Sequence, residues 1–348
     1  MDQNKRIKTM KRTFRYIQTT VVFILIISTQ LFGGEEKKKV AQTGFQFLSV
    51  QSDARASAMA GAVTTLPMGS SALFFNPAVM TEMDGFLDIT ASQNEWIADI
   101  KHNAFSLAIK PGSGNWGVFG VSVQTVDYGE VLGTIVDASS PEGYLDIGTI
   151  EPTALGIGLG YAKALSDRFS IGGQVRWVKQ DLGESVVPVS ITESDTTTEK
   201  VLNDLSPLAF DFGTLFKTGI KSLAFGMSVR NFSKEIKYAD EGFQLPLVFT
   251  MGISMNVMDL FEIGGPAQSL YLSVDATHYR SHAEQLIVGM DYTLMNFLSV
   301  RGGYVSSNDE DGLSFGLGVS HFGLTIDYAY TPFGVFDNVQ RMTVRFAM

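Results

Sequence analysis

The chain runs to 348 residues without a single cysteine, which excludes disulfide staples and cysteine-based metal sites. Its formal net charge is −10, and residues 1–33 hold six basic side chains and one acidic one, so the rest carries 20 Lys+Arg against 35 Asp+Glu, a net of −15. That balance argues against nucleic acid as a partner.

Lys5, Arg6, Lys8, Lys11, Arg12 and Arg15 form a basic opening, followed by the apolar stretch from Val21 to Ile27 that trails to Leu31 and Phe32. The stretch is shorter than the roughly 20 apolar residues a helical span needs. It suits the hydrophobic region of a secretion signal, ending near Gly33-Gly34, although no A-x-A cleavage site is present. Residues 1–33 are therefore expected to be a signal peptide. No later run reaches the length of a transmembrane helix.

Residues 34–85 do not alternate. The run from Ser52 to Gly61 is rich in small residues and suits a short helix or tight coil. Ser70 to Phe74 suits another short helix. Asn76-Pro77 pairs a favoured N-cap residue with proline at the first helical position.

From Phe86 to Met348 the period changes to two. Leu155 to Tyr161 places large apolar residues at odd positions and glycine at even ones. Leu223 to Val229, Leu270 to Asp275, Leu286 to Tyr292, Leu313 to Val319 and Leu324 to Tyr328 also alternate. A helix would require spacings of three and four. The strands fall near 86–96, 101–110, 115–131, 150–165, 168–181, 204–218, 222–232, 246–259, 268–280, 283–294, 297–306, 312–321, 323–330 and 336–348. This is an even count of about fourteen, as in single-chain outer-membrane barrels.

Loop length sorts by parity. Connections 111–114, 166–167, 219–221, 295–296 and 322 are tight, with 260–267 intermediate, whereas 132–149, 182–203 and 233–245 are long and alternate with them. Barrels have short periplasmic turns and longer outer loops. The 35 glycines and 25 phenylalanines suit the same architecture. In the last segment Met342, Val344, Phe346 and Met348 share the lipid face, opposite Arg341, Thr343 and Arg345. The expected fold is an all-β, antiparallel up-and-down transmembrane barrel in an outer membrane. Residues 34–85 form a hatch plugging its periplasmic half, and 86–348 form the wall.

Projecting the alternation inward collects Arg176, Asp211, Arg230, Asp275, Asp291, Arg301, Asp327, Arg341 and Arg345. Such a set makes either an internal ion-pair network that rigidifies the lumen or a charged constriction on a solute path. Open porins use about 16 to 18 strands, so about fourteen implies a filled lumen. In the long loops, Tyr144, Leu145 and Ile147, then Val186 to Val189 with Pro188 and Ile191, then Phe243 and Leu245 are apolar residues in polar surroundings. They either mark a partner-binding surface or extend the strands.

The run Ser52-Asp53-Ala54-Arg55-Ala56-Ser57-Ala58-Met59-Ala60-Gly61-Ala62, followed by Phe75-Asn76-Pro77-Ala78, resembles the opening signature of the PorV/PorQ family. That family is related to FadL-type fourteen-stranded barrels. The resemblance makes Asp53, Arg55, Met59, Gly61, Asn76 and Pro77 the hatch motif, with Ala60 standing where the family often has a second glycine or another small residue. It implies a type IX secretion component that binds secreted cargo proteins or other secretion-system subunits at its outer loops, with Tyr144, Leu145, Val187, Pro188 and Phe243 as contact candidates. The alternative it carries is a FadL-like transporter of hydrophobic small molecules. Such a transporter releases its solute sideways through a kink in the wall and needs an apolar pocket, which Phe45, Phe47, Phe74 and Phe75 are placed to line.

Catalytic readings are weak. His278 and His282 have metal-binding spacing only on a helix, and they flank a turn between strands. The G-x-S-x-G match at Gly312-Leu313-Ser314-Phe315-Gly316 falls within the alternating 312–321 strand and not at the strand-to-helix turn a nucleophile elbow needs. Asp309-Glu310-Asp311 lacks the spacing that surrounds a calcium ion. No cofactor is expected, and outer-membrane lipid is the expected surrounding.

Overall fold

Alternation along the chain becomes a closed wall in the computed structural model, which describes residues 43–136, 140–192, 195–238, 241–261, 268–281, 283–306, 312–334 and 338–348. The expected signal segment, His282 and the Asp309-Glu310-Asp311 run lie outside the described residues.

The strands are β1 (Leu87–Glu95), β2 (Lys101–Ile109), β3 (Val118–Asp127), β4 (Val131–Val136), β5 (Tyr144–Ile150) and β6 (Thr153–Ala164). Next come β7 (Phe169–Thr192), β8 (Asp195–Leu205), β9 (Leu208–Lys217), β10 (Ala224–Phe232), β11 (Ile236–Tyr238), β12 (Glu241–Phe243) and β13 (Val248–Asn256). The last six are β14 (Gln268–Tyr279), β15 (Gln285–Leu294), β16 (Leu298–Val305), β17 (Leu313–His321), β18 (Leu324–Thr331) and β19 (Val339–Ala347).

One sheet of fifteen strands runs β6-β3-β2-β1-β19-β18-β17-β16-β15-β14-β13-β10-β9-β7-β8, and β6 also pairs with β7. Strand β8 pairs only with the outer half of β7, so fourteen strands close the barrel. Closure joins the chain's two ends: β1 pairs with β19 from Asp88↔Ala347 to Glu95↔Gln340. Each of the fourteen expected segments coincides with one wall strand.

Every wall strand turns one face in and one out. In β6, Ala154, Gly156, Gly158, Gly160 and Ala162 are buried, while Ile157, Leu159 and Tyr161 are exposed, Leu159 to 67%. Phe212, Phe315, Leu317 and Met342 are likewise exposed on the outside. Apolar residues directed outward from every side are explained by lipid as the surrounding solvent, and barrel closure satisfies the backbone groups that lipid cannot. The wall is a transmembrane barrel of the outer-membrane type.

Two of the expected long loops are hairpins. β4 pairs with β5 from Val131↔Ile150 to Val136↔Tyr144, and the outer part of β7 pairs with β8 from Gln180↔Leu205 to Thr192↔Asp195. Their valine, isoleucine and threonine content favours extended pairing beyond the membrane. Strand β3 is shorter than expected because Gly117 (φ 82°) and Gly129 (φ 74°) bend the chain at both of its ends.

The lumen is filled by residues 43–83. A helix at Ala54–Ala58 and 3-10 turns at Gln46–Ser49, Gly69–Phe74 and Pro77–Glu82 fold inside the wall. Met59, Val63, Leu66, Leu73, Val79 and Met80 pack with the wall residues Ala108, Val118, Ala162 and Leu215. Phe45, Phe47 and Leu48 pack higher, with Val126, Ala154, Val178, Ala209 and Leu245. The plug thus spans the lumen instead of only its periplasmic half, because inward apolar positions at the long-loop end cover its leading phenylalanines. At the other end Lys110 Nζ donates to the carbonyl of Met83 at 2.6 Å.

Candidate functional site

The inward charges pair along the lumen wall, between strands that are neighbours or next neighbours in the sheet. Arg176 grips Asp211 with both forks, Nε to Oδ2 at 2.7 Å and Nη2 to Oδ1 at 2.9 Å. Asp211 also accepts from Gln174 Nε2 at 2.9 Å and the Asn231 amide at 2.7 Å. Arg301 lies 3.2 Å from Asp291 and 2.5 Å from Asp327. Wall charges also hold the plug. Asp291 takes Arg55 Nε at 3.0 Å, Asp275 accepts the Thr64 amide at 3.0 Å, and Arg230 donates to the Phe74 carbonyl at 2.6 Å. Arg341 donates to the Gln51 carbonyl at 3.2 Å. Arg345 pairs with Asp88 at 2.6 Å, and Asp88 accepts the Ser70 amide at 2.8 Å. All the inward candidates therefore face the lumen: Arg230, Asp275, Asp291, Arg341 and, through Asp88, Arg345 hold the plug, whereas Arg176, Asp211, Arg301 and Asp327 pair within the wall. Buried charges of this kind are tolerated when each is paired and hydrogen-bonded.

The hatch-motif residues have distinct places. Asp53 caps the Ala54–Ala58 helix by accepting the Ala56 amide at 2.9 Å and takes Ser71 Oγ on its other oxygen at 2.9 Å. Arg55 also donates to the Pro67 carbonyl at 2.6 Å. Asn76 caps the next turn through the Ala78 amide at 3.1 Å, with Pro77 at the first helical position. Its amide bridges the Thr64 and Thr214 carbonyls at 2.8 and 3.0 Å. Met59 is fully buried. Gly61 has φ 96°, a backbone state that glycine adopts without a steric cost.

Above the plug, at the long-loop end, lies a cavity of about 610 Å³. Phe45, Phe47, Ile100, Ile287 and Phe333 give it apolar surface. Gln46, Gln51, His102, Gln180, Gln285 and Arg341 give it polar surface. Trp96 stacks edge-on with Phe333 at 5.0 Å and lies under the Arg341 guanidinium at 5.5 Å. Of the four plug phenylalanines expected to line a pocket, Phe45 and Phe47 do. Phe74 and Phe75 instead border a space of only about 10 Å³ beside Arg176 and Arg230, because Arg230 reaches across to the Phe74 carbonyl.

Most lining residues were missed by sequence reasoning, although His102, Gln180, Gln285 and Thr331 obey a readable rule. They sit on the inward parity near the ends of strands that meet the long loops. Trp96, Ile100 and Phe333 sit in the connections and carry no such signal.

The expected partner-binding residues separate. Tyr144 and Leu145 are exposed, to 45% and 52%, on the β4–β5 hairpin. Val187 and Pro188 lie in the outer part of β7. Phe243 is half-buried: its ring stacks on Phe45 at 6.2 Å, and Gly44 leaves room for it, since a Cβ there would stand 2.4 Å from the ring. Beside it, Leu245 is buried. His278 pairs with Glu284 at 3.0 Å on the exposed rim.

No protein-family model matches the chain, and no curated protein sequence matches it. Solved structures do. The CymD monoaromatic hydrocarbon channel superposes with a TM-score of 0.57 at 11% identity, over 86% of this chain and 98% of that one. The toluene transporter TbuX of Ralstonia pickettii gives 0.55 at 11% identity, over 88% and 99%. A FadL homologue of Pseudomonas aeruginosa gives 0.51 at 12% identity, over 86% and 99%. At such identity the likeness defines the fold alone: a closed fourteen-stranded outer-membrane barrel of FadL type.

Proposed function

We propose that the protein admits hydrophobic or amphipathic small molecules through the outer membrane, binding them first in the cavity at its long-loop end. The observation that carries this reading is the cavity itself, about 610 Å³, lined with aromatic and aliphatic side chains and a few polar groups. That composition is typical of small-molecule sites. The similar structures described as a monoaromatic hydrocarbon channel and a toluene transporter support it.

A second reading, as a type IX secretion component, draws on the sequence resemblance and on the exposed Tyr144 and Leu145. In that role secreted cargo proteins or secretion-system subunits would dock on the β4–β5 hairpin, with Val187 and Pro188 on the neighbouring one. Phe243, stacked on Phe45, would offer only its exposed part to that surface.

Deleting the gene separates the two. Transport requires that cells lose saturable uptake of radiolabelled toluene or oleate while their surface proteins stay unchanged. Unchanged uptake, with loss of surface proteins that share a C-terminal sorting domain, overturns it in favour of secretion.

A further inference from the structure

Two chambers flank one short segment of the plug. The outward cavity reaches down to Gln51, Ser57 and Ala60. A second cavity, about 210 Å³, lies toward the short-turn end, and its plug-side wall is Asp53, Arg55 and Met68. Asn296, Ser320 and Thr325 place it beside the turns 295–297 and 322–323.

The same strands serve both chambers. β15 contributes Ile287 above and Asp291 below, and β16 contributes Val305 above and Arg301 below. β17 contributes Ser314 and Ser320, β18 Thr331 and Asp327, and β19 Arg341 and Thr343. Between each of the first four pairs an inward position carries a very small residue: Gly289, Gly303, Gly316 and Ala329. The Ala54–Ala58 helix and the two residues after it pack there. A Cβ on Gly303 would stand 2.3 Å from the Met59 carbonyl carbon, and one on Gly316 would stand 2.4 Å from Ala58 Cβ. Ala329 packs with Ala54 and Ala58. Wall and partition thus meet with no long side chain between them.

The partition is five helical residues long and hangs on few ties to the wall, chiefly Arg55 to Asp291 at 3.0 Å and the Ala54 amide to Thr343 Oγ1 at 2.8 Å. It also holds an unsatisfied group. Ser57 is 1% exposed, borders the outward cavity, and its Oγ has no hydrogen-bond partner among the described residues. A buried hydroxyl left unpaired costs free energy in the closed state.

Among the described residues, the one irregularity of the wall ladder leads to no comparable space. In the fourteen-strand ring the β9–β10 ladder has a register shift, between Val229 and Phe232. The space inside that bulge, beside Arg176, Arg230 and Asn231, is about 10 Å³, room for roughly one water.

We propose that the solute leaves axially, along the β15–β19 wall into the lower polar chamber, and that the Ala54–Ala60 partition is the gate. This rests on the transport reading above.

The chain has no cysteine, so paired cysteines form clean locks. Ala58→Cys with Ala329→Cys ties the partition to the wall. Thr81→Cys with Ser170→Cys, whose hydroxyl oxygens lie 3.0 Å apart, ties another part of the plug to β7, half-way round the barrel. Uptake of radiolabelled toluene and oleate is measured in whole cells before and after oxidation, then after reduction. The expected result is at least a tenfold loss for the oxidised A58C/A329C pair, regained on reduction, with the T81C/S170C pair unchanged. Full uptake through the oxidised A58C/A329C pair overturns the axial gate and returns the exit to the wall. Equal loss with both locks overturns the local partition, since the whole plug must then move. If the unmodified protein takes up neither probe, the transport reading itself fails, and the gate with it. Should A58C/A329C not fold, as judged by loss of its heat-sensitive gel shift, Arg55→Gln decides: a severalfold faster uptake supports the gate, and an unchanged rate overturns it.

Discussion

Asp211 shows how this lumen tolerates ionised side chains. Its two oxygens receive Arg176, Gln174 and the Asn231 amide, so neither charge of this pair is left alone. Removing the carboxylate strands a buried guanidinium, which typically costs about 3–5 kcal/mol. Asp211→Ala should therefore lower stability by about 3 kcal/mol in urea unfolding followed by gel shift. Lys200→Ala, which breaks a solvent-exposed pair with Glu184, should cost under about 0.5 kcal/mol. Equal effects would show that the inward network contributes nothing special. Backbone at Ala60 and Gly61 offers a second residue-scale test. Ala60 sits at φ 54° and Gly61 at φ 96°, in the left-handed region that costs an L-residue about 1–2 kcal/mol. Ala60→Gly should raise the melting temperature, and Gly61→Ala should lower it. The second effect should be the larger, because a Cβ on Gly61 would stand 2.4 Å from Gln51 Nε2. The family resembled often has a second glycine or another small residue at Ala60, and a φ of 54° is a state that glycine adopts without a steric cost.

At the scale of elements, glycines in the wall let the plug approach. A Cβ on Gly172 would stand 2.5 Å from the Ala78 amide nitrogen, and one on Gly213 would stand 1.8 Å from Asn76 Oδ1. Gly172→Val should keep the barrel folded but displace the Pro77–Glu82 turn. The signs would be new protease cleavage within residues 69–83 and larger conductance in planar bilayers. A resistant, closed barrel would contradict that docking. The fourteen wall strands were legible in the sequence because each has a lipid face and a lumen face, and a period of two records both. The β4–β5 and β7–β8 hairpins were not, because outside the membrane neither face must be apolar and the alternation fades. The inward charges were readable by parity, but their partners were not: Asp291 meets Arg55 across 236 positions of sequence, and no local pattern reports that. The height of the plug was hidden for the same reason. It is set by Phe45 and Phe47 finding Val126, Val178 and Leu245, and the stacking of Phe243 on Phe45, which comes from a distant part of the chain, is equally invisible to a local pattern.

For the whole molecule, two solvents divide the work of the strands. Lipid takes Leu159, Phe212 and Leu317 on the outside, and the plug, with its anchoring charges, takes the inside. The larger of the two chambers described is the outward cavity, and the proposed function requires that it take hydrophobic solutes. Trp96 lines that cavity, whereas Trp116 and Trp177 are exposed, to 73% and 39%. Replacing those two with phenylalanine leaves Trp96 as the sole fluorescent reporter. Titrating this purified variant with toluene is the most direct measurement. The expected result is a saturable change in Trp96 emission that disappears when Val305→Phe fills part of the cavity. An emission that drifts linearly with toluene, the same with and without Val305→Phe, would show that the cavity binds no hydrophobic solute and would contradict the proposed function.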